Sequence, residues 1–311
     1  MKVLITGGAG FIGSNIVDAV IGNGHKAVII DNLSSGSMDN INKKAKFYKT
    51  DIVDEKNILK IFKKEKPDAV IHNAAQIDVR KSVADPKYDA EINILGSLNI
   101  LKACIENKVR KIIFASSGGT IYGECGNKAP DENSFPNPLS PYGIAKHSVE
   151  NYIKFYSEIH DLKYTILRYG NVYGPRQDPK GEAGVIAIFA LRMLNDEAVT
   201  VFGDGKQMRD YVYVSDVVSA NIKSLAKAGN QIINIGANKA VPLNDVVKIM
   251  SRLSKTNKKP VYKPKRDGEL FKSFLNNKKA QKILNWKPEV GIDEGIKRTL
   301  EYFKRQLTIN K

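Results

Sequence analysis

A phenol and an ammonium group stand four residues apart in Ser140-Pro141-Tyr142-Gly143-Ile144-Ala145-Lys146. Serine suits the N-cap and proline the first helical position, so a helix starting here puts Tyr142 and Lys146 on one face, where both can act on one substrate atom. The chemistry such a pair could do is proton transfer. A free phenol ionises near pH 10, so a tyrosine working as a base near neutrality needs about 4 kcal/mol of preferential phenolate stabilisation. Neighbouring cations would supply it. Tyr-x-x-x-Lys alone is a weak signal, because a half-buried ring beside a solvated lysine is the commoner use of that spacing.

The elements that must position the pair are written upstream. Lys2-Val3-Leu4-Ile5-Thr6 reads as a strand, Gly7-Gly8-Ala9-Gly10-Phe11-Ile12-Gly13 follows it directly, and Ile12, Ile16, Ala19 and Val20 begin a helical pattern. Strand, glycine turn and helix are the context a dinucleotide fingerprint requires: glycines bring the backbone close to a pyrophosphate, which meets free N–H groups at the helix start. A second strand, Lys26 to Ile30, ends at Asp31, about 20 residues beyond the turn, where a carboxylate meets the adenosine ribose hydroxyls. That carboxylate would repel a 2′-phosphate, and no arginine follows in Asn32-Leu33-Ser34-Ser35-Gly36, so NAD is expected over NADP. Its nicotinamide is a second cation for Tyr142.

The alternation continues. Lys46 to Lys49, Asp68 to His72, Lys111 to Ser116 and Lys163 to Leu167 read as strands; Glu55 to Lys64, Pro86 to Asn107 and Ser140 to His160 read as helices. Repeated βα units predict an α/β fold with a doubly wound parallel sheet of Rossmann type, whose ligands lie beyond the strand C-termini. Gly7, Asp31, Asp51, Asn73 to Gln76 and Ser116-Ser117 fall there. Gly and Pro break the pattern in Arg168 to Arg176, which marks a departure into a smaller C-terminal α/β substrate domain. The expected division is 1–170 with a return at about 211–236 for the cofactor domain, and 171–210 with 237–311 for the substrate domain. The tail ends in an amphipathic helix, Gly291 to Gln306.

At 311 residues, 42% hydrophobic and 8% aromatic, the chain reads as folded and large enough for two lobes. No apolar run is long enough to span a membrane, and Met1-Lys2 leads into a strand without a signal-peptide pattern, so no membrane partner and a cytoplasmic location are expected. The formal charge of +16 is spread over scattered lysines with no aromatic-interleaved basic helix, which argues against nucleic acid. Cys104 and Cys125 have no metal or disulfide spacing, and His25, His72, His147 and His160 form no ligand set, so no metal is expected. Trp286 reads as a packing residue.

The ordered set GGAGFIGSN, DNLSSG, Asp51-Ile52, HNAAQ, SSGGTIYG, SPYGIAK, RYGNVYGPRQ, Phe202-Gly203-Asp204-Gly205, RDYVYVSDV, Asn234-Ile235-Gly236 and Arg266-Asp267-Gly268-Glu269 covers nearly the whole chain. It resembles the extended short-chain dehydrogenase/reductases, most closely the NAD-dependent sugar-nucleotide epimerases of the UDP-glucose 4-epimerase group. The resemblance implies that NAD is held by Gly7, Gly10, Phe11, Ile12, Gly13, Asp31, Asn32, Leu33, Ser34, Ser35, Gly36, Asp51, Ile52, Ala74, Ala75, Gln76, Asn93, Ser116, Tyr142, Lys146 and Tyr169. It assigns the UDP-sugar to Ser117, Tyr142, Asn171, Gly184, Val185, Val201, Phe202, Arg209, Arg266 and Glu269. Guanidinium groups suit phosphate oxygens. It also implies a homodimer formed through helices 86–107 and 140–160.

The resemblance further makes Tyr142, Lys146 and a hydroxyl just before the Tyr122-Gly123 pair catalytic. Counting back four residues from Tyr122 gives Gly118, so the hydroxyl is assigned to Ser117, with the extra glycine absorbed in the turn. Related dehydratases carry an Asp-Glu pair at this point and related decarboxylases a glutamate, whereas this chain has Gly118-Gly119-Thr120. The expected reaction is therefore inversion at C4 of a UDP-hexose through a transient 4-keto sugar, for UDP-glucose and UDP-galactose. The family's size gate falls on Ser273, whose small side chain implies room for the acetamido group of UDP-GlcNAc and UDP-GalNAc. The alternatives are an epimerase or reductase for a dTDP- or GDP-sugar, and a non-catalytic NAD(H)-binding regulator, which would need neither Tyr142 nor Lys146.

Overall fold

Runs of valine, isoleucine and leucine such as Val3-Leu4-Ile5 and Val28-Ile29-Ile30 are buried on both sides, as strands of a covered parallel sheet must be. The computed structural model describes residues 1–179, 184–266 and 268–309, so Asp267 of the late motif lies outside the described residues. In chain order come β1 (Lys2–Thr6), α1 (Phe11–Gly22), β2 (Lys26–Asp31), β3 (Lys46–Lys49), α2 (Glu55–Glu65), β4 (Ala69–His72), α3 (Val79–Ala84), α4 (Pro86–Ala90) and α5 (Gly96–Glu106). Next are β5 (Lys111–Ser117), α6 (Gly118–Ile121), α7 (Pro141–His160), β6 (Lys163–Tyr169), β7 (Asn171–Tyr173), α8 (Val185–Leu194), β8 (Thr200–Phe202), β9 (Met208–Arg209), β10 (Tyr211–Tyr213) and α9 (Val214–Ala226). The remainder forms β11 (Gln231–Ile235), β12 (Val241–Pro242), α10 (Leu243–Ser254), β13 (Val261–Lys263), β14 (Lys272–Ser273), α11 (Lys278–Leu284) and α12 (Ile292–Ile309).

Seven strands form one sheet in the order β11-β6-β5-β4-β1-β2-β3, with every neighbouring pair parallel. The order reverses between β1 and β4, which opens a crevice at their C-terminal ends. One face is covered by α2, α5 and α7 through Ile58, Phe62, Ile100, Val149 and Ile153. The other is covered by α1 and α9, and its core runs on into the C-terminal elements through Val201, Val246, Met250, Trp286 and Leu300. Trp286 is 1% exposed and donates Nε1–H to the Asp216 carbonyl at 2.8 Å, a packing role.

Local chemistry sets the start of α7. Ser140 Oγ accepts the Gly143 N–H at 3.2 Å, Pro141 occupies the first turn, and the helix ends at Asp161 in the left-handed region. Two expectations are modified. The helix expected over 86–107 is continuous from Pro86 to Glu106 but widens to a π-helical turn at Glu91–Leu95, the segment that carries Asn93. The strand expected to return at Tyr211 instead pairs with β7 in a separate two-stranded sheet, because Asn171 N–H bonds to the Asp210 carbonyl at 2.7 Å. Helix α9, which follows, packs on α1. Among the described residues no helix is long and apolar enough to cross a membrane.

Candidate active site

The crevice between β1 and β4 is a cavity of about 400 Å³. Its floor is the glycine turn. Gly7 has φ +68°, and a Cβ there would stand 2.8 Å from the Ala74 nitrogen; a Cβ on Gly13 would lie 2.0 Å from the Gly7 carbonyl oxygen. No side chain fits at either position, so bare backbone faces the cavity where α1 begins. A one-way chain of hydrogen bonds locks this floor: Ala74 N–H to Thr6 Oγ1 at 3.1 Å, Thr6 to His72 Nδ1 at 2.6 Å, His72 Nε2 to Ser97 Oγ at 2.9 Å, and Ser97 to the Asn93 carbonyl at 2.6 Å. Read in that direction, the chain assigns His72 the neutral tautomer protonated on Nε2. Burial, aided by the Lys146 charge, pushes its pKa down to about 3.

Of the residues expected to hold NAD, Gly7, Gly10, Phe11, Ile12, Gly13, Asp31, Asn32, Ser34, Ser35, Asp51, Ile52, Ala74, Ala75, Gln76, Ser116, Tyr142, Lys146 and Tyr169 line this cavity. Three do not. Leu33 offers its N–H to Asp31 Oδ1 at 2.8 Å, Gly36 packs against Ala9, and Asn93 stands behind Gln76, bonded to its backbone in both directions at 3.0 and 2.9 Å. Asn93 therefore supports the wall instead of lining it. Among the further residues that line the cavity are Asn73, Arg176 and Gln177. Both side-chain polar atoms of Asn73, Arg176 Nη1 and Gln177 Oε1 are buried without a partner among the described residues. Buried polar atoms are normally satisfied, so this set calls for a polar ligand, and a dinucleotide on the glycine floor meets that need.

Tyr142 and Lys146 both line the cavity. Lys146 is 4% exposed; its Nζ donates to the Ala115 carbonyl at 3.0 Å and lies 5.8 Å from the centre of the Tyr142 ring. Burial lowers the Lys146 pKa to about 8 against the opposing charges of Asp89 and Glu150. Burial and the Asp89 charge push the Tyr142 phenol up, while a hydrogen bond with Ser117 pulls it down. Ser117 thus supplies the hydroxyl beside the phenol. Gly118 has no hydroxyl, and a Cβ there would run into both Leu275 methyl groups at 2.6 and 2.7 Å. Gly118 to Ile121 coil into a single helical turn, which absorbs the extra residue.

Below the pair lies a buried ion pair. Arg168 donates to Glu150 through Nε at 2.9 Å and Nη2 at 2.5 Å, and to Tyr122 Oη through Nη1 at 2.7 Å. Ser116 Oγ donates to Glu150 at 2.6 Å. Burial pushes the Glu150 carboxyl up, but hydrogen bonds from Arg168 and Ser116, the His147 ring at 3.5 Å and the Arg168 charge outweigh it and hold the pKa at about 2.

The residues expected to hold the sugar nucleotide fall into two groups. Asn171, Ser117 and Ser273 meet around Gly119: Asn171 Oδ1 and Ser117 Oγ lie 3.7 and 3.9 Å from the position of a Cβ on it, and Ser273 Oγ reaches its carbonyl at 3.5 Å. Further out, Arg209 contacts Glu269 at 3.4 Å, and the Arg266 guanidinium stacks 3.7 Å over the Phe202 ring. Gly184 and Val185 open α8. Val201 is fully buried in the core. Two supports of this wall were not read from the sequence. Glu124 accepts the Phe271 and Lys272 N–H groups, each at 2.7 Å, and Asp210 accepts those of Leu275 at 3.0 Å and Ala237 at 2.7 Å.

Comparison with known proteins agrees with this geometry. The model of the NAD dependent epimerase/dehydratase family matches residues 3–236. A UDP-glucose 4-epimerase from Thermotoga maritima, solved with UDP-glucose, is 50% identical, with a TM-score of 0.97 over 99% of this chain and 100% of that one. A UDP-glucose 4-epimerase from Thermus thermophilus, solved with NAD, is 41% identical, with a TM-score of 0.94 over 98% and 99%. A UDP-N-acetylglucosamine 4-epimerase from Methanobrevibacter ruminantium, solved with UDP-N-acetylmuramic acid, is 38% identical, with a TM-score of 0.92 over 98% of each chain.

Proposed function

The chain belongs to the NAD dependent epimerase/dehydratase family, and from that premise we propose that it inverts C4 of a UDP-hexose, interconverting UDP-glucose with UDP-galactose and UDP-GlcNAc with UDP-GalNAc. It is an isomerase with NAD as its cofactor. Bound NAD supplies a hydride acceptor that is also the donor for the return step, and the glycine floor, Asp31 and the unpartnered atoms of Asn73, Arg176 and Gln177 are the groups to hold it. Tyr142 takes the proton of the 4-hydroxyl, Ser117 bridges phenol and sugar oxygen, and Lys146 holds positive charge against the phenolate.

One observation carries the reading. Tyr142 and Lys146 line the cavity with Ser117 beside the phenol, and the turn that follows, Gly118-Gly119-Thr120, brings no acid or base. A 4-keto sugar held there has no group to eliminate water or lose a carboxyl, so re-reduction is its way out. Arg209 and Arg266 anchor the diphosphate while the sugar turns over, and Ser273, small and 3% exposed, leaves room for an acetamido group. NMR of the purified protein with UDP-galactose and with UDP-GlcNAc tests this. Interconversion of both sugars is expected; no conversion of either overturns the reading, and exclusion of the acetamido sugar overturns the role of Ser273.

The homodimer belongs to the same proposal. Ile144, Tyr152, Phe155 and Ile159 form an exposed stripe along α7, and Leu95 is exposed on the adjoining π-helical turn. That continuous apolar face is what a second copy would cover.

A further inference from the structure

Asp89, on α4, takes no part in the assignments above, yet it is 1% exposed and acts electrostatically on both Tyr142 and Lys146. Its Oδ1 accepts two N–H groups, from Gln76 Nε2 and Asn93 Nδ2, each at 2.9 Å. Its Oδ2 is buried and finds no partner among the described residues. The placement is built. Asn93 lies one turn further along the same helical run and returns a second bond to the Gln76 carbonyl, while Gln76 lines the cavity beside Tyr142 and Lys146. Helix α4 packs directly on α7. Burial pushes the Asp89 carboxyl up, while the bonds from Gln76 and Asn93 and the Lys146 charge pull it down, so a carboxylate fixed on one oxygen and bare on the other in this desolvated wall needs a nearby positive charge.

We infer that Asp89 is the counter-charge of the proton-transfer pair: its ionised carboxylate keeps Lys146 protonated inside the closed cavity. The other groups in reach do not take this role. Glu150 also acts on Lys146, but less than Asp89, and its charge is matched by Arg168, with His147 beside it. His72 is neutral. Lys81 stacks over Tyr88 at 4.2 Å, and those two with Asp78 line the cavity, while Lys87 and Glu91 are exposed. Charge bookkeeping supports the assignment. A phenolate, an ammonium and the cationic ring of the bound cofactor would sum locally to +1; an ionised Asp89 brings that local sum to zero. The sum stays at zero when a proton and a hydride leave the sugar, so neither half of the cycle leaves net charge in a low-dielectric site. Asp89 acts through Lys146 and is a positioning residue.

The inference rests on the proton-transfer reading of Tyr142 and Lys146, and its test is independent of turnover. Nitrogen NMR of the lysine Nζ groups, with the Lys146 signal identified by its loss in Lys146→Met, follows protonation directly. In the isosteric Asp89→Asn variant the Lys146 midpoint is expected about one pH unit lower than in the wild type, and the alkaline limb of the activity profile to move with it. An unmoved midpoint overturns the inference, as does a variant whose activity drops in height with the limb unshifted. Carbon NMR of the wild-type Asp89 carboxyl provides a second check without substitution: it is expected to be ionised at neutral pH, and a protonated Asp89 there overturns the inference. A wild type with a titrating Lys146 but no epimerase activity would count against the proposed function alone.

Discussion

Removing the charge of Glu150 should destabilise the fold by an amount the structure sets. Glu150 is fully buried and Arg168 is 2% exposed, and the guanidinium spends three N–H groups on Glu150 and Tyr122. A carboxyl held at about 2 instead of its ordinary 4.5 contributes about 3 kcal/mol at neutral pH. The same order follows from stranding one partner of a buried pair. Because folding lowers this pKa, the contribution is fully present above pH 4.5 and is lost as the pH falls toward 2. By pH 3 it has dropped by about half.

Urea unfolding of the wild type and Glu150→Gln at pH 7 and pH 3 measures both numbers. Glu65, whose carboxyl is pushed up by burial but held at about 2 by bonds from Lys46, Tyr48 and Lys2, titrates in the same window and cancels between the two proteins. The variant should lose about 3 kcal/mol at pH 7, and the gap should narrow by about half at pH 3. The double variant Glu150→Leu/Arg168→Met, which strands no charge, should lose less than Glu150→Gln. A loss under about 1 kcal/mol at pH 7, or a gap of the same size at both pH values, would refute the reasoning.

Three further outcomes are expected. Asn73→Leu removes a buried amide with no partner among the described residues, so NAD affinity measured by calorimetry should fall about tenfold, and an unchanged Kd would show that Asn73 does not touch the cofactor. Lys146 must keep its proton to hold a phenolate, and burial sets its pKa at about 8, so activity should decline as the pH rises through that value; a profile flat to about pH 10 contradicts this. Ser273→Tyr should abolish turnover of UDP-GlcNAc while UDP-galactose is still converted, and equal loss of both would remove Ser273 from the specificity wall.

The parallel sheet, the glycine floor, Asp31 and the Tyr142–Lys146 pair were legible in the sequence because each is a local pattern: an apolar run, a turn, a residue ending a strand, a spacing of one helical turn. What could not be read depends on distant segments meeting. Glu124 holds the backbone at Phe271 and Lys272. β10 leaves the main sheet because Asp210 meets Asn171. Asn73 looks like a loop amide until its burial is known, and Asp89 looks like a solvated helix residue until α4 is seen against α7. Likewise a three-residue strand does not reveal which way its middle side chain faces, and Val201 proves to be buried.

The central claim is that the Tyr142 phenol carries the proton of the sugar's 4-hydroxyl. Conversion of UDP-galactose followed by NMR, in the wild type and in a Tyr142→Phe variant shown to retain NAD, tests it most directly. The account predicts a loss of about 100-fold or more in rate, the range of a single acid–base group. A Tyr142→Phe variant that converts the sugar at the wild-type rate would contradict it.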